Sequence, residues 1–212
     1  MTPDHEQGSP EWLAARLGRV TASRIADMLA KTKTGWGASR AAYAAELVAE
    51  RLTGNPAERY QNAAMKHGSE TEPQAVAAYE WYQDVTAEAV GFVPHPTIPM
   101  AGASPDRLVG PDGLLECKCP NTSTHIDTLL GASVPGKYLD QMQFQMACTG
   151  RAWCDWVSFD PRMPESMRLF VRRVLRDDAR IAEIEREATA FLAEVEATVQ
   201  QLSAQYETRL AA

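Results

Sequence analysis

The sequence is short of several things, and each shortage narrows what the chain can be. No apolar run approaches the ~20 residues that a bilayer-spanning helix needs, so no membrane span is expected. The opening Met1-Thr2-Pro3-Asp4-His5-Glu6 has neither a basic n-region nor an apolar h-region, so no signal peptide is expected either. There is no internal repeat and no low-complexity tract. Cysteine is scarce, limited to Cys117, Cys119, Cys148 and Cys154. Their C-x-C and C-x5-C spacings match no zinc pattern. Reduced, mostly buried thiols of a cytosolic protein are expected here in preference to an iron–sulfur cluster.

What is present is globular: 212 residues, of which 45% are hydrophobic and 23% charged. That length fits one domain covering residues 1–212, closed by a C-terminal helix at 177–206. A net charge of −7 argues against a nucleic-acid partner. The distribution argues for one. Between Ala14 and Arg40 the bases Arg16, Arg19, Arg24, Lys31, Lys33 and Arg40 face a single acid, Asp27, a local balance of +5. From Asp177 onward, eight acids face three arginines. One basic edge on an acidic body steers phosphate to one place.

The spacing of apolar residues gives the element order. Trp12–Arg16 reads as a short helical turn. Thr21-Ala22-Ser23 reads as the N-cap of a helix reaching about Ala30, and Lys31–Gly37 as a basic loop. Helices follow at Arg40–Leu52 and Asn62–Tyr82, the second interrupted near Gly68 and Pro73. Strands are expected at Ala89–Val93, Ala103–Val109, Leu114–Cys119, Trp153–Phe159 and Met167–Val174, with a turn at Gly110-Pro111-Asp112-Gly113. Lys137–Cys148 is helical. The stripe Ile181, Ile184, Ala188, Phe191, Val195, Val199, Leu202 marks a long helix over Asp177–Tyr206, packed on its own domain rather than in a coiled coil. The fold class is α/β or α+β.

The chemistry concentrates in Ser104-Pro105-Asp106-Arg107-Leu108-Val109 and, across the turn, Leu114-Leu115-Glu116-Cys117-Lys118-Cys119-Pro120. Strand alternation puts Glu116 and Lys118 on one face and Leu115, Cys117 and Cys119 on the other. Asp106, on the preceding strand of the same hairpin, comes beside Glu116. Two adjacent carboxylates repel and call for a cation between them. A hard divalent ion suits their oxygens, and the Cys117 carbonyl can join its shell. Lys118 can orient a water and offset charge on a phosphate, which is the equipment of metal-assisted phosphodiester hydrolysis. A solvent-facing charged hairpin is the competing reading.

Other segments weigh against that competitor. Trp12-Leu-Ala-Ala-Arg16-Leu-Gly, Thr21-Ala-Ser23, Gly68-Ser-Glu-Thr-Glu72, Ser104-Pro-Asp106, Leu115-Glu-Cys-Lys-Cys-Pro120, Tyr138-Leu-Asp-Gln141-Met-Gln143 and Asp160-Pro-Arg162 occur in an order that resembles the lambda exonuclease and YqaJ-type viral recombinase family of the PD-(D/E)-x-K nuclease superfamily. The resemblance runs from about Trp12 to Arg162. It implies an α/β restriction-endonuclease-like domain, a central mixed sheet flanked by helices. It further implies a Mg²⁺-dependent 5′ to 3′ exonuclease on linear double-stranded DNA, with one or two ions and Mn²⁺ as a substitute. The product would be a 3′ single-stranded tail for phage-type recombination. A ring-shaped homotrimer, a single-strand annealing partner and a bacterial cytoplasmic setting come with it.

By the same resemblance, Asp106 and Glu116 hold metal, Lys118 positions the water, Glu72 completes the site near a second ion and Gln141 bonds near the reacting phosphate or water. Arg16, Ser23 and Ser104 form a pocket for the 5′-phosphate. On residues alone, Glu72 and Gln141 would be ordinary helix polar groups, and Arg16 would pair with Glu11. Trp12 reads as packing, while the basic loop of Trp36 leaves base stacking open. One departure stands out. Where lambda exonuclease places a further phosphate-pocket arginine after the catalytic lysine, this sequence has Thr124 and His125. Two rival functions remain: a sequence-specific endonuclease of the same superfamily, which would use the same three residues, and a catalytically silent DNA-end-binding scaffold that keeps the fold, against which the intact Asp106, Glu116 and Lys118 set argues.

Overall fold

A computed structural model describes the backbone at residues 6–57 and 63–210, and the side chains at 6–57 and 66–206. Asn62, the expected start of the second long helix, and residues 1–5 of the opening segment lie outside the described residues. Helix α1 (Pro10–Arg16) starts where Ser9 accepts from the Trp12 N–H, with proline early in the first turn. The expected helix from Thr21 to Ala30 is instead strand β1 (Val20–Thr21), a 3-10 turn at Ala22–Arg24 and the single-turn α2 (Ile25–Met28). Pairing with a distant strand decides this. Val20 and Thr21 lie parallel to Ala101 and Gly102, and such ladder bonds hold them extended.

The expected basic loop is a small hairpin, β2 (Lys31–Thr32) and β3 (Gly35–Trp36). Gly35 takes φ +148°, which only glycine adopts without strain. Helix α3 (Ala38–Thr53) follows, then α4 (Ala63–Gln83), which runs unbroken through Gly68 and Pro73. The proline removes one helix bond, roughly 3 kcal/mol. Burial of Ala75, Val76 and Tyr79 against the sheet outweighs that, at about 1.5–3 kcal/mol for each large side chain.

The two expected strands in the middle of the chain each divide. Ala89–Val93 becomes β4 (Ala87–Ala89) and β5 (Val93–Pro94); Ala103–Val109 becomes β6 (Ala101–Ala103) and β7 (Arg107–Val109). Pro105 has no N–H for a ladder, so the chain turns a corner at Ser104–Asp106 and crosses between sheets. Next come β8 (Gly113–Lys118), α5 (Thr122–Gly131), α6 (Gly136–Thr149), β9 (Trp153–Phe159), a 3-10 turn at Glu165–Met167, β10 (Leu169–Leu175) and α7 (Asp178–Leu210). Helix α5 was not expected. It carries no apolar stripe of helical period, and its start rests on Asn121, whose side chain accepts from the Thr124 N–H.

The main sheet has the order β10-β9-β8-β7-β4, with β8 and β9 parallel and the other pairs antiparallel. A second sheet, β1-β6-β5, stands beside it. Strand β8 lies at the centre and begins at Gly113, where a Cβ would come within 2.1 Å of the Trp153 ring. Its two faces are covered by different helices. Leu115 and Cys117 pack with Ala75, Val76 and Tyr79 of α4, whereas Leu114 packs with Met142 and Met146 of α6. The α7 stripe buries Ile184, Ala188, Phe191 and Val195 against α2, α3 and α6, as its period predicts.

Helix α7 is also held by His95, whose side chain is fully buried. Its Nε2 lies 3.0 Å from Glu185 Oε1, while Nδ1 accepts from the Thr97 and Ile98 N–H groups. Burial lowers its pKa from the ordinary 6.5, against the pull of Glu185. The unfolded chain therefore binds the proton more tightly, and stability must fall as pH drops below about 6.5. Melting curves between pH 7.5 and 5.5 should show this fall. A His95→Asn variant, which keeps an acceptor but has no proton to gain, should show a flatter profile. An equal slope in both proteins would assign the acid sensitivity elsewhere.

Candidate active site

The corner at Ser104-Pro105-Asp106 and the end of β8 meet at the middle of the main sheet. Arg107 pairs with Leu115, so Asp106, one residue before β7 rather than within a strand, comes opposite the Glu116–Cys117 stretch. The Cys117 N–H donates to Asp106 Oδ2 at 2.6 Å. Glu116 is almost fully buried. Its Oε1 accepts from Lys118 Nζ and from Gln141 Nε2 (2.7 Å), and its Oε2 accepts from Gln145 Nε2 (2.6 Å). Asp106, Glu116, Lys118 and Gln141 are thus brought together. Gln145, equally close, was not singled out; its place one helical turn after Gln141 was the available signal.

Glu72 arrives from α4, which passes over the end of β8 at Gly68, where an added Cβ would lie 4.0 Å from the Cys119 carbonyl. Its carboxylate lies 3.5 Å from Arg107 Nη1, a second residue that sequence reasoning passed over. The signal for it was weak, since a strand arginine beside a turn is commonplace.

Three carboxylates and two cations therefore share a small, largely buried space. Burial, then the Glu116 charge, raises the Asp106 carboxyl well above its ordinary pKa. Burial also raises Glu72, with Arg107 opposing. For Lys118, burial works against the ammonium, but the Glu116 and Asp106 charges outweigh it and its pKa is raised. Those neighbouring carboxylates favour the ammonium form, which can donate a hydrogen bond and attract an anion.

This surplus of negative oxygen fits a hard divalent cation. Among the described residues, no group of three His, Cys, Asp or Glu side chains gathers tightly enough to hold an ion. A pair of carboxylates with a backbone carbonyl suits Mg²⁺, which keeps several waters, better than an ion needing a full protein cage. The cysteines offer no alternative. Cys117, Cys148 and Cys154 lie in three different packing clusters, and burial pushes the thiols up, Cys119 to about 12.

Arg16 and Ser104, of the second group of expected residues, meet at the other side of the corner. Ser104 Oγ accepts from Arg16 Nη1 and from Trp12 Nε1, each at 3.0 Å. The Arg16 guanidinium lies over the Trp12 ring, 4.1 Å from its centroid, so the pairing with Glu11 is not what holds it. Both Ser104 lone pairs are taken, which leaves its one hydrogen to donate outward. Ser23 is exposed, in the 3-10 turn and not at an α-helix N-terminus as expected, with its Oγ 3.5 Å from Thr21 Oγ1. Thr21 pairs with Gly102, and Ser23 and Ser104 each stand two residues beyond that pair on the two parallel strands. A cleft beside the corner is lined by Trp12, Ser69, Glu72 and Arg107.

Two expectations change. The basic edge is partly neutralised within the fold: Arg24 pairs with Asp27 and Glu46, and the buried Arg40 pairs with Glu194. His125 does not stand in for the missing arginine. It is fully buried in α5, its Nε2 facing the Met167 carbonyl at 2.8 Å and its Nδ1 the Ser158 hydroxyl at 2.7 Å. Trp36 is 44% exposed, with Lys31 and Arg40 against its ring.

A mixed sheet whose central strand bears Glu116-x-Lys118, preceded by Pro105-Asp106 at the corner, is the restriction-endonuclease-like fold of the PD-(D/E)-x-K nucleases. The sequence signature of the YqaJ-like viral recombinase domain matches residues 11–152, and the chain belongs to that family. It is 52% identical to an alkaline exonuclease from Laribacter hongkongensis, whose crystal structure superposes with a TM-score of 0.88 over 94% of this chain and 99% of that one. The same exonuclease in complex with dAMP gives 0.89. A phage-related exonuclease from Haemophilus somnus 129PT, 16% identical, shares the fold with a TM-score of 0.72 over 87% of this chain and 96% of that one. Among curated proteins none matches. Among the described residues, no helix is long and apolar enough to cross a membrane.

Proposed function

We propose that this chain is a Mg²⁺-dependent exonuclease that digests linear double-stranded DNA from 5′ to 3′ and leaves a 3′ single strand. The observation that carries the reading is the junction at residues 104–106. A single residue, Pro105, separates Ser104, at the centre of the Arg16–Trp12 pocket, from Asp106, beside Glu116 and Lys118. An end group held in the first place presents the neighbouring phosphodiester to the second.

Asp106, Glu116 and the Cys117 carbonyl would hold the ion, with Glu72 near a second one and Mn²⁺ as a substitute. The bound ion supplies Lewis-acid polarisation and a more acidic water. Lys118 donates to the attacking water or the scissile phosphate and offsets charge there. Gln141 bonds near the same atoms. Arg16, Ser23 and Ser104 receive the terminal phosphate, the guanidinium fork being suited to its oxygens. That the Laribacter enzyme is an exonuclease supports the reading, as does its complex with a nucleoside monophosphate. A ring-shaped homotrimer around the duplex and a single-strand annealing partner belong to the same proposal and rest on family membership.

The test compares linear duplex with a closed circle, in Mg²⁺ and in EDTA. Linear DNA should be degraded, the circle left intact, and EDTA should stop the reaction. Cleavage of the circle would favour the endonuclease reading. Intact linear DNA at every pH would favour the silent end-binding scaffold.

A further inference from the structure

Helix α6 carries glutamines at 141, 143 and 145, all buried, and the fold gives them two different tasks. Gln143 serves the corner between β10 and α7: it donates to the Leu175 carbonyl at 2.9 Å and accepts from the Asp177 N–H at 2.8 Å. Gln141 and Gln145 lie one turn apart and both face Glu116. They bond to different oxygens of that carboxylate, Gln141 to Oε1 at 2.7 Å and Gln145 to Oε2 at 2.6 Å.

The terminal torsion of a glutamate is broad and two-fold. Donors on one oxygen alone, here Lys118 and Gln141, leave the other free to swing. A donor on the second oxygen removes that freedom. We propose that Gln145 is a positioning residue for metal binding: by holding Oε2 from a rigid helix, it fixes the Glu116 carboxylate plane so that the remaining lone pairs face the space beside Asp106. The inference rests on the metal-dependent reading above.

Two further observations favour this role. A carboxylate only accepts, so the Gln145 amide must turn its N–H to Glu116 and its Oε1 away. That Oε1 is buried without a hydrogen-bond partner. A buried carbonyl left unsatisfied is a cost that packing alone does not explain, because an apolar side chain of this volume would avoid it. Gln145 is also wholly inaccessible, so a direct contact with DNA is not its task.

The test is a Mn²⁺ titration by calorimetry without DNA, on the intact protein and on Gln145→Met, which keeps volume and loses the donor. Partners that orient a metal ligand are typically worth ~10–100-fold in metal affinity. Gln145→Met should weaken Mn²⁺ binding by that factor and raise the metal concentration needed for half-maximal cleavage, with KM for DNA ends little changed. Gln143→Met, equally buried on the same helix, should lower Tm without changing Mn²⁺ affinity. Should Gln145→Met not fold, Gln145→Asn, whose shorter arm withdraws the N–H, should show the same loss. Unchanged Mn²⁺ affinity in a folded Gln145 variant overturns the inference alone, as does an equal loss in Gln143→Met. Absence of Mn²⁺ binding by the intact protein overturns the metal reading, and this inference with it.

Discussion

Replacing Lys118 with methionine is expected to lower cleavage of linear duplex DNA by about 10²- to 10³-fold, the loss typical of one preorganised donor at a developing charge. The fold should survive. Lys118 Nζ is bonded to a nearly buried Glu116, so its removal costs stability, but Gln141 and Gln145 still donate to that carboxylate. One lost bond to a charged group is worth about 1.5–3 kcal/mol, less than the 5–15 kcal/mol of an ordinary domain. Two roles for the lysine separate cleanly in this variant. If it only balances Glu116, saturating Mg²⁺ supplies that charge and restores the rate. If it orients the water or phosphate, added metal restores nothing. Near-normal cleavage by Lys118→Met at high Mg²⁺ would remove water positioning from the mechanism. On the proposed function, Asp106→Ala and Glu116→Ala should lose activity at any metal concentration, since they would remove the ligands themselves.

The second large effect belongs to the pocket of Arg16, Trp12 and Ser104, proposed to receive the DNA end. Arg16→Ala should slow digestion of 5′-phosphorylated ends by about 10- to 100-fold, the equivalent of one charge-assisted contact. Digestion from 5′-hydroxyl ends should change little, because those ends never engage the guanidinium. The stacking of Arg16 on Trp12 and its bond to Ser104 hold the fork in place before substrate arrives, which lowers the entropy lost on binding. Arg16→Lys should behave closer to Arg16→Ala than to the parent, as an ammonium neither stacks nor forks in the same way. Substrates that differ only in the terminal phosphate, digested side by side, check this. An equal loss on both would make Arg16 a structural residue and leave the 5′-phosphate without an assigned receptor. The burial of His125 sharpens the point: it does not replace the arginine that the sequence lacks after Lys118.

Local pattern and distant contact contributed unequally to these conclusions. Period-two alternation assigned Glu116 and Lys118 to one face of β8 and Cys117 to the other, and the structure packs Cys117 under α4 with Glu116 under α6. The α7 stripe likewise named its buried residues before any partner was known. Such readings succeed because side-chain direction follows from backbone geometry alone. Where a second segment had to choose, the local reading went astray. Thr21 has a helix-start signature, yet it pairs with Gly102 as a strand. Pro73 is a helix breaker by itself, yet α4 continues through it because the next turns bury Ala75, Val76 and Tyr79.

The charges followed the same rule. A count of +5 between Ala14 and Arg40 is a property of composition. How much of it faces solvent was decided by Glu46 and Glu194, acids that the fold carries in from other helices. The sequence by itself determined that Asp106, Glu116 and Lys118 come together, because a hairpin turn and strand alternation suffice to bring three such side chains to one place. Only the tertiary structure decided what holds that set in place: Gln145 from α6, Arg107 against Glu72 from α4, and Ser104 between Arg16 and Trp12. Those contacts join residues far apart in the chain, and no local periodicity encodes which distant side chain closes on which.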